Sequence, residues 1–179
     1  VYAWGKNDYG QIGDGTFTSQ IIPYTTNISN ATSISAGHQF SLTVLTTGEV
    51  MSWGKNDFGQ LGQGNNSTTN FPFIVAGLTN VVNVVGGQNH SLALLNDGTV
   101  MSWGDNQFGQ LGIGSFVNQN TPQLIPNLSG IASIQCGANH SMAIDSVGNL
   151  YVWGNNAEGQ LGISGVQFLN SPQLHGLNN

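Results

Sequence analysis

The chain has 179 residues and a formal net charge of −6, from two basic and eight acidic side chains, and 39% of its residues are hydrophobic. Because binding along a nucleic-acid backbone requires clustered Lys and Arg, this composition excludes a phosphate-tracking surface and argues against a basic membrane-surface module. The single cysteine, Cys136, excludes an internal disulfide framework, and no apolar stretch approaches the roughly 20 residues of a membrane span.

The first predicted element is the strand that ends at Trp4, and it introduces a repeat of about fifty residues. The segment Val1–Gly15 recurs with its tryptophan at positions 53, 103 and 153, and each tryptophan is followed 19 residues later by a proline. A second block begins at Ala36 and recurs from Gly86 and Cys136. The chain therefore divides into a half unit, residues 1–30, and three full units, residues 31–80, 81–130 and 131–179.

Each full unit is predicted to contain four short strands. In the last unit these are residues 131–135, 140–144, 150–153 and 172–174, and no segment shows sustained helical periodicity. The dipeptide Asp97-Gly98 supplies the positive φ values of a tight hairpin between the second and third strands of its unit. A sheet of this size cannot bury both faces alone, so it must stack on its neighbours. The hairpin signal favours the blades of a β-propeller over the alternative, a β-solenoid with parallel strands.

Two longer patterns recur within these units. They are V-x-x-V-x-x-G-x-x-H-S-L-A-L, carried by Val81–Leu94, and G-x-V-x-x-W-G-x-N-x-x-G-Q-L-G, carried by Gly98–Gly112. These motifs and their copies span the whole chain, and through them it resembles the family of regulator of chromosome condensation (RCC1-type) repeats. It departs from the family pattern at Phe40, which stands at a histidine position, and in its scarcity of basic residues.

The resemblance implies an all-β fold, namely a β-propeller of RCC1-type four-stranded blades. Such a propeller typically has seven blades, and about three and a half are present here. We therefore expect a fragment of a seven-bladed ring. Its open blade faces should be covered by the remaining blades or by another chain, since bare apolar faces cost stability.

Residues that recur at the same place in each unit are expected to be structural. The tryptophans are predicted to fill the space between blades rather than to stack on sugars or bases. The glutamines of the G-Q-[LI]-G loops are predicted to pin those loops through their amides. The two histidines are predicted to bond a nearby turn, since no Asp, Glu or Cys joins them at metal-ligand spacing. This set comprises Trp4, Trp53, Trp103, Trp153, Gln11, Gln60, Gln110, Gln160, His90 and His140.

The sequence offers no arrangement that predicts catalysis, a cofactor or a metal. The G-Q-L-G loop lacks the lysine and the following helix of a phosphate cradle. A calcium site in each unit would need a repeated carboxylate. Asp8 and Asp57 recur in only two units and Asp105 stands alone, so we expect all three on solvated loops.

The loops after G-Q-[LI]-G differ between units and hold the candidate binding residues. Apolar side chains exposed on one rim of a propeller can anchor a partner, although the same side chains can equally tuck under a blade. Asn66 is also a candidate acceptor for N-glycosylation if the protein is secreted from a eukaryote. The candidates are Phe17, Asn66, Phe116, Val117 and Phe168.

These observations favour a non-enzymatic protein-interaction or scaffold module with a protein partner, and neither nucleic-acid binding nor membrane insertion. The low charge and the abundance of Asn, Ser and Thr favour an extracellular or cell-surface setting, within a larger surface or secreted protein. Two alternatives remain open. The resemblance to the repeat family implies a guanine-nucleotide exchange factor for a small GTPase, and exposed aromatic side chains would suit a carbohydrate-binding propeller.

Overall fold

A computed structural model describes residues 1–176 and shows an all-β chain of fourteen strands in four antiparallel sheets. Within the described residues, no helix is long and apolar enough to cross a membrane. The half unit forms a two-stranded sheet, the half-blade, and each full unit forms a four-stranded sheet. The half-blade comprises β1 (Tyr2–Gly5) and β2 (Gln20–Thr25).

The three full blades follow in chain order. Blade 1 comprises β3 (Ala31–Ala36), β4 (Phe40–Leu45), β5 (Val50–Gly54) and β6 (Thr69–Ile74). Blade 2 comprises β7 (Val81–Gly86), β8 (His90–Leu95), β9 (Val100–Gly104) and β10 (Gln119–Leu124). Blade 3 comprises β11 (Ile131–Cys136), β12 (His140–Asp145), β13 (Leu150–Asn155) and β14 (Phe168–Leu174).

The strands of each blade pair in chain order, so every blade is a simple meander. The first strand of one blade packs on the blade before it: β7 lies against β3 and β4, and β11 lies against β7 and β8. The hydrophobic core therefore lies between blades rather than inside one. One apolar cluster joins Phe40 of blade 1 to Val84 and Trp103 of blade 2, and a second joins Leu92 of blade 2 to Trp153 of blade 3. This is the packing of a β-propeller, with about three and a half blades.

The turn between the second and third strands differs from the prediction in the conformation of Asp97. Gly98 has a φ of +79°, but Asp97 does not adopt a positive φ. The connection is a four-residue loop in which the Leu95 amide donates to Thr99 O and the Gly98 amide donates to Leu95 O. Asp97 acts through its side chain instead, because its carboxylate accepts hydrogen bonds from the amide and the hydroxyl of Thr99.

The antiparallel order places the connections of each blade at two opposite ends. The upper end holds the loops between first and second strands and between third and fourth strands, including residues 6–19, 55–68, 105–118 and 156–167. The lower end holds the second-to-third turns, residues 46–49, 96–99 and 146–149, and the links between blades. All the variable loops after G-Q-[LI]-G therefore lie at the upper end.

The outermost strand of each sheet carries a proline near its centre. These are edge strands, and a proline lacks the backbone N–H that an added strand would need. The prolines therefore protect the outer edges against pairing with other chains. They are Pro23, Pro72, Pro122 and Pro172.

Candidate functional site

Each buried tryptophan links two neighbouring blades through one backbone carbonyl. Trp103 of blade 2 is fully buried, and its Nε1 donates to the carbonyl oxygen of Gln60 in the upper loop of blade 1 at 2.8 Å. Ser91 Oγ donates to the same oxygen at 2.9 Å. Gly62 makes room for the indole, because a Cβ at this position would lie 2.9 Å from Trp103 Nε1. The same pair of bonds joins Trp53 and Ser41 to Gln11 O, and Trp153 and Ser141 to Gln110 O.

The glutamine side chains act within their own loops. The Oε1 atom of Gln60 accepts the amide of Phe58 at 3.0 Å, and Gln110 accepts the amide of Phe108 at 2.9 Å. The same bond is present at Gln11 and Gln160. The side-chain amide oxygen of each glutamine thus closes its own loop. The backbone oxygens of Gln11, Gln60 and Gln110 also accept hydrogen bonds from the next blade.

A buried asparagine holds each variable loop in place, and the sequence reasoning missed it. Asn106 is fully buried: its Nδ2 donates to Ser115 O and Val117 O at 2.9 and 3.2 Å, and its Oδ1 accepts the Leu111 amide at 2.9 Å. The asparagine of W-G-x-N recurs in every unit, and this recurrence indicates a structural role in the same way as that of the tryptophan. Its counterparts are Asn7, Asn56 and Asn156.

Replacing Asn106 with alanine is expected to lower the free energy of unfolding by about 1–3 kcal/mol, because it leaves the buried Leu111 amide without a partner. Urea denaturation at neutral pH measures this loss. Asn96→Ala is the matched control, since Asn96 is exposed and its side chain makes no hydrogen bond to any part of the chain the structure describes. Equal, small effects of the two substitutions would show that Asn106 does not hold the loop.

His90 bonds a neighbouring blade rather than a turn, whereas the half-buried His140 ring makes no hydrogen bond within residues 1–176. His90 is fully buried, and its Nε2 lies 3.0 Å from Ser141 Oγ in blade 3. Because the Ser141 hydroxyl donates to Gln110 O, its oxygen accepts from His90, which places the proton on Nε2. Burial, reinforced by the nearby His140, lowers the pKa of His90 to about 3. Burial also lowers the pKa of His140.

Asp8 and Asp57 lie on solvated surface in the upper loops, whereas Asp105 does not. Lys6 pairs with Asp8 at 3.0 Å and Lys55 pairs with Asp57 at 3.4 Å, and both carboxylates are more than half exposed, as expected for solvated loops. Asp105 departs from this expectation. It is only 5% exposed, and burial raises the pKa of its carboxyl group.

Within residues 1–176, no three His, Cys, Asp or Glu side chains lie close enough together to hold a metal ion. Burial raises the pKa of the Cys136 thiol, which keeps it protonated and poorly nucleophilic. The hydrogen bonds of the repeated residues described above hold neighbouring blades together.

Four of the five candidate binding residues lie on the upper loops with much of their surface free, and the fifth, Phe168, is the first residue of β14. Phe17, Phe116 and Val117 are 55%, 49% and 66% exposed, and Asn66 is exposed as well. Phe168 is 41% exposed and packs against Phe108, with 5.6 Å between the ring centroids. Phe17, Phe116 and Val117 lie on loops that the buried asparagines hold in place, so these loops present apolar groups at one end of the molecule.

Comparison with known proteins adds a family and several relatives of known structure. The family model described as "RCC1-like domain" matches residues 1–178. No curated protein matches the sequence. The structure of human WBSCR16 is 26% identical in sequence with a TM-score of 0.87. The match covers 97% of this chain and 48% of the WBSCR16 chain.

Two structures of a yeast protein are similar in the same way. Prp20p from Saccharomyces cerevisiae, described with its binding to Gsp1p and histones, is 24% identical with a TM-score of 0.87, covering 97% of this chain and 45% of its own. Yeast RCC1 (Prp20) bound to Kap60 is 23% identical in sequence with a TM-score of 0.85. The match covers 97% of this chain and 44% of the Prp20 chain. The present chain thus spans just under half the length of these structures.

Proposed function

The chain belongs to the family of RCC1-like domains, and on that premise we propose that it is a non-enzymatic protein-interaction module, part of a larger surface or secreted protein, whose partner binds the loops of the upper end. One observation carries this proposal. The recurring Trp, Ser, Gln and Asn groups are used in hydrogen bonds within and between blades, whereas Phe17, Phe116 and Val117 remain about half exposed or more. Exposed apolar anchors on a rigid support are typical of protein interfaces.

We also propose that further blades or another chain cover the open face beside the half-blade. Trp4 is 62% exposed, whereas its three counterparts are buried. A cavity of about 570 Å³ lies between β1 and blade 1, and it is lined by apolar side chains that include Ile12, Phe40 and Trp53. Covering this face would bury the indole of Trp4 as the other three are buried.

Site-specific photo-crosslinking in cells of the source organism tests the upper-end interface. A benzophenone amino acid replaces Phe116 in one variant and Val147, an 80% exposed residue of the lower end, in the matched control. We expect a discrete crosslinked protein from position 116 and none from position 147. Equal crosslinking from both ends, or none from position 116, would contradict the proposal.

A second assay distinguishes guanine-nucleotide exchange activity from the proposed interaction module. Release of labelled GDP from a panel of purified small GTPases is measured with the wild-type chain and with the Phe116→Ser, Val117→Ser double variant. Acceleration that the double variant loses would identify the partner as a GTPase. No acceleration with any member of the panel would remove the exchange alternative and leave the interaction module.

A further inference from the structure

Outer strand β6 carries two aromatic side chains that the outer strands of the next two blades lack. Phe71 and Phe73 are 52% and 54% exposed. Phe73 pairs with Ser52, and in the same register Gln123 pairs with Ser102 and Gln173 with Val152. The position of Phe71 is Thr121 in β10 and Ser171 in β14. The ring of Phe71 packs over Gly15 of the half-blade loop. Because two blades of the same construction are complete without a ring at the position of Phe73, blade packing does not require the Phe73 ring.

Phe73 forms one wall of a groove of about 410 Å³ beneath the upper loop of blade 1. This volume falls within the range of about 300–1,000 Å³ that small-ligand sites occupy. The rest of the lining combines the apolar side chains of Ile74 and Ala76 with amides and hydroxyls, and none of the lining residues is charged. The polar lining residues include Gln63, Ser67 and Thr68. The groove therefore combines one aromatic surface with neutral hydrogen-bonding groups.

The loop that forms the polar wall is fixed before any ligand arrives. Gln63 Nε2 donates to the carbonyl and hydroxyl oxygens of Ser52 at 3.1 and 3.0 Å, and Asn56 Nδ2 donates to Ser67 O at 3.1 Å. Within residues 1–176, the hydroxyl groups of Ser67 and Thr68 make no hydrogen bond to protein. The wall is thus rigid and keeps free hydroxyls beside the aromatic ring, an arrangement that limits the entropy lost on binding.

We propose that this groove binds a neutral carbohydrate, with one sugar ring against Phe73 and its hydroxyls bonded to the loop above. A pyranose has an apolar C–H face and a polar rim, which match the aromatic ring and the amides and hydroxyls of this lining. A phosphorylated or sulfated ligand would find no cation here, since none of the lining residues is charged. A peptide added as a strand along β6 is disfavoured because Pro72 lacks a backbone donor.

Isothermal titration calorimetry of the full chain with cellohexaose, mannohexaose, chitohexaose and maltoheptaose tests the groove. We expect saturable binding of at least one of these neutral oligosaccharides. Phe73→Gln, which installs the residue found at this position in blades 2 and 3, should weaken that binding by about tenfold or more. An unchanged thermal unfolding curve for Phe73→Gln shows that the loss does not come from misfolding.

Phe116→Ser is the matched control, because Phe116 lies on the upper loop of another blade and does not line the groove. This variant should bind the oligosaccharide like the wild type while losing contact with the protein partner. A failure of the carbohydrate proposal can therefore be distinguished from a failure of the protein-interface proposal. Absence of saturable binding with all four oligosaccharides would overturn the carbohydrate site. Binding that Phe73→Gln leaves intact, or that Phe116→Ser removes equally, would overturn it as well.

Discussion

Replacing Trp103 with alanine is expected to lower the free energy of unfolding by about 3–5 kcal/mol, the usual cost of truncating a fully buried aromatic side chain. The indole is completely buried between blades 1 and 2, and its Nε1 donates to Gln60 O. The substitution opens a cavity in the apolar cluster that joins those blades and removes one of the two donors to that carbonyl. Equilibrium denaturation in urea, followed by circular dichroism, measures the loss.

Trp4→Ala is the matched control for this prediction. Trp4 has the same place in the repeat as Trp103 but is 62% exposed, so its removal should cost no more than about 0.5–1 kcal/mol. A difference of several kcal/mol between the two variants would follow from contact between blades alone, because the residue type and the local motif are the same. Similar losses in both would mean that the tryptophan acts within its own strand.

Acidification is expected to destabilise the protein through His90. Its pKa is lowered to about 3 in the folded chain, whereas in the unfolded chain it has the ordinary value of 6.5. Below pH 6.5 the unfolded state therefore binds a proton that the folded state does not, and stability falls as the pH decreases. The slope approaches about 1.4 kcal/mol per pH unit down to the folded pKa, so the contribution is close to 3 kcal/mol by about pH 4.

The chain supplies its own control for this effect, since Phe40 fills in blade 1 the position that His90 fills in blade 2. A His90→Phe variant should lack this slope, and the stability difference between wild type and variant should change steadily from pH 7 to pH 4. Protonation of carboxylates affects both proteins and cancels in the difference. Parallel stability curves would show that His90 is protonated without penalty in the folded state.

The repeat in the sequence predicts most of the fold. The spacing of the tryptophans and prolines indicates the units, and the alternation within them indicates the strands. The order of the strands follows because short antiparallel strands in a meander pair with their neighbours along the chain. The exposed apolar positions of the upper loops, such as Phe116, could be named as candidates from their variation between units.

Other features depend on three-dimensional neighbours and could not be read from a single unit. Asp105 is buried, with its amide bonded to Asn89 O and its carboxylate to the Gln107 amide, although the residues at its place in other units include the surface cation Lys6. The partner of His90 is a serine fifty-one residues away. The groove at Phe73 forms only where the outer strand meets the loop above it, so the sequence shows the aromatic residue without the site.

Hydrogen exchange of the four tryptophan indole protons, resolved by nuclear magnetic resonance, tests most directly the claim that the repeated residues hold the blades together. Protons of Trp53, Trp103 and Trp153 should exchange slowly, because each is hydrogen-bonded to a carbonyl of the preceding blade. The exposed Trp4 proton should exchange at the rate of a free indole. Four protons that exchange at one common rate would contradict the claim.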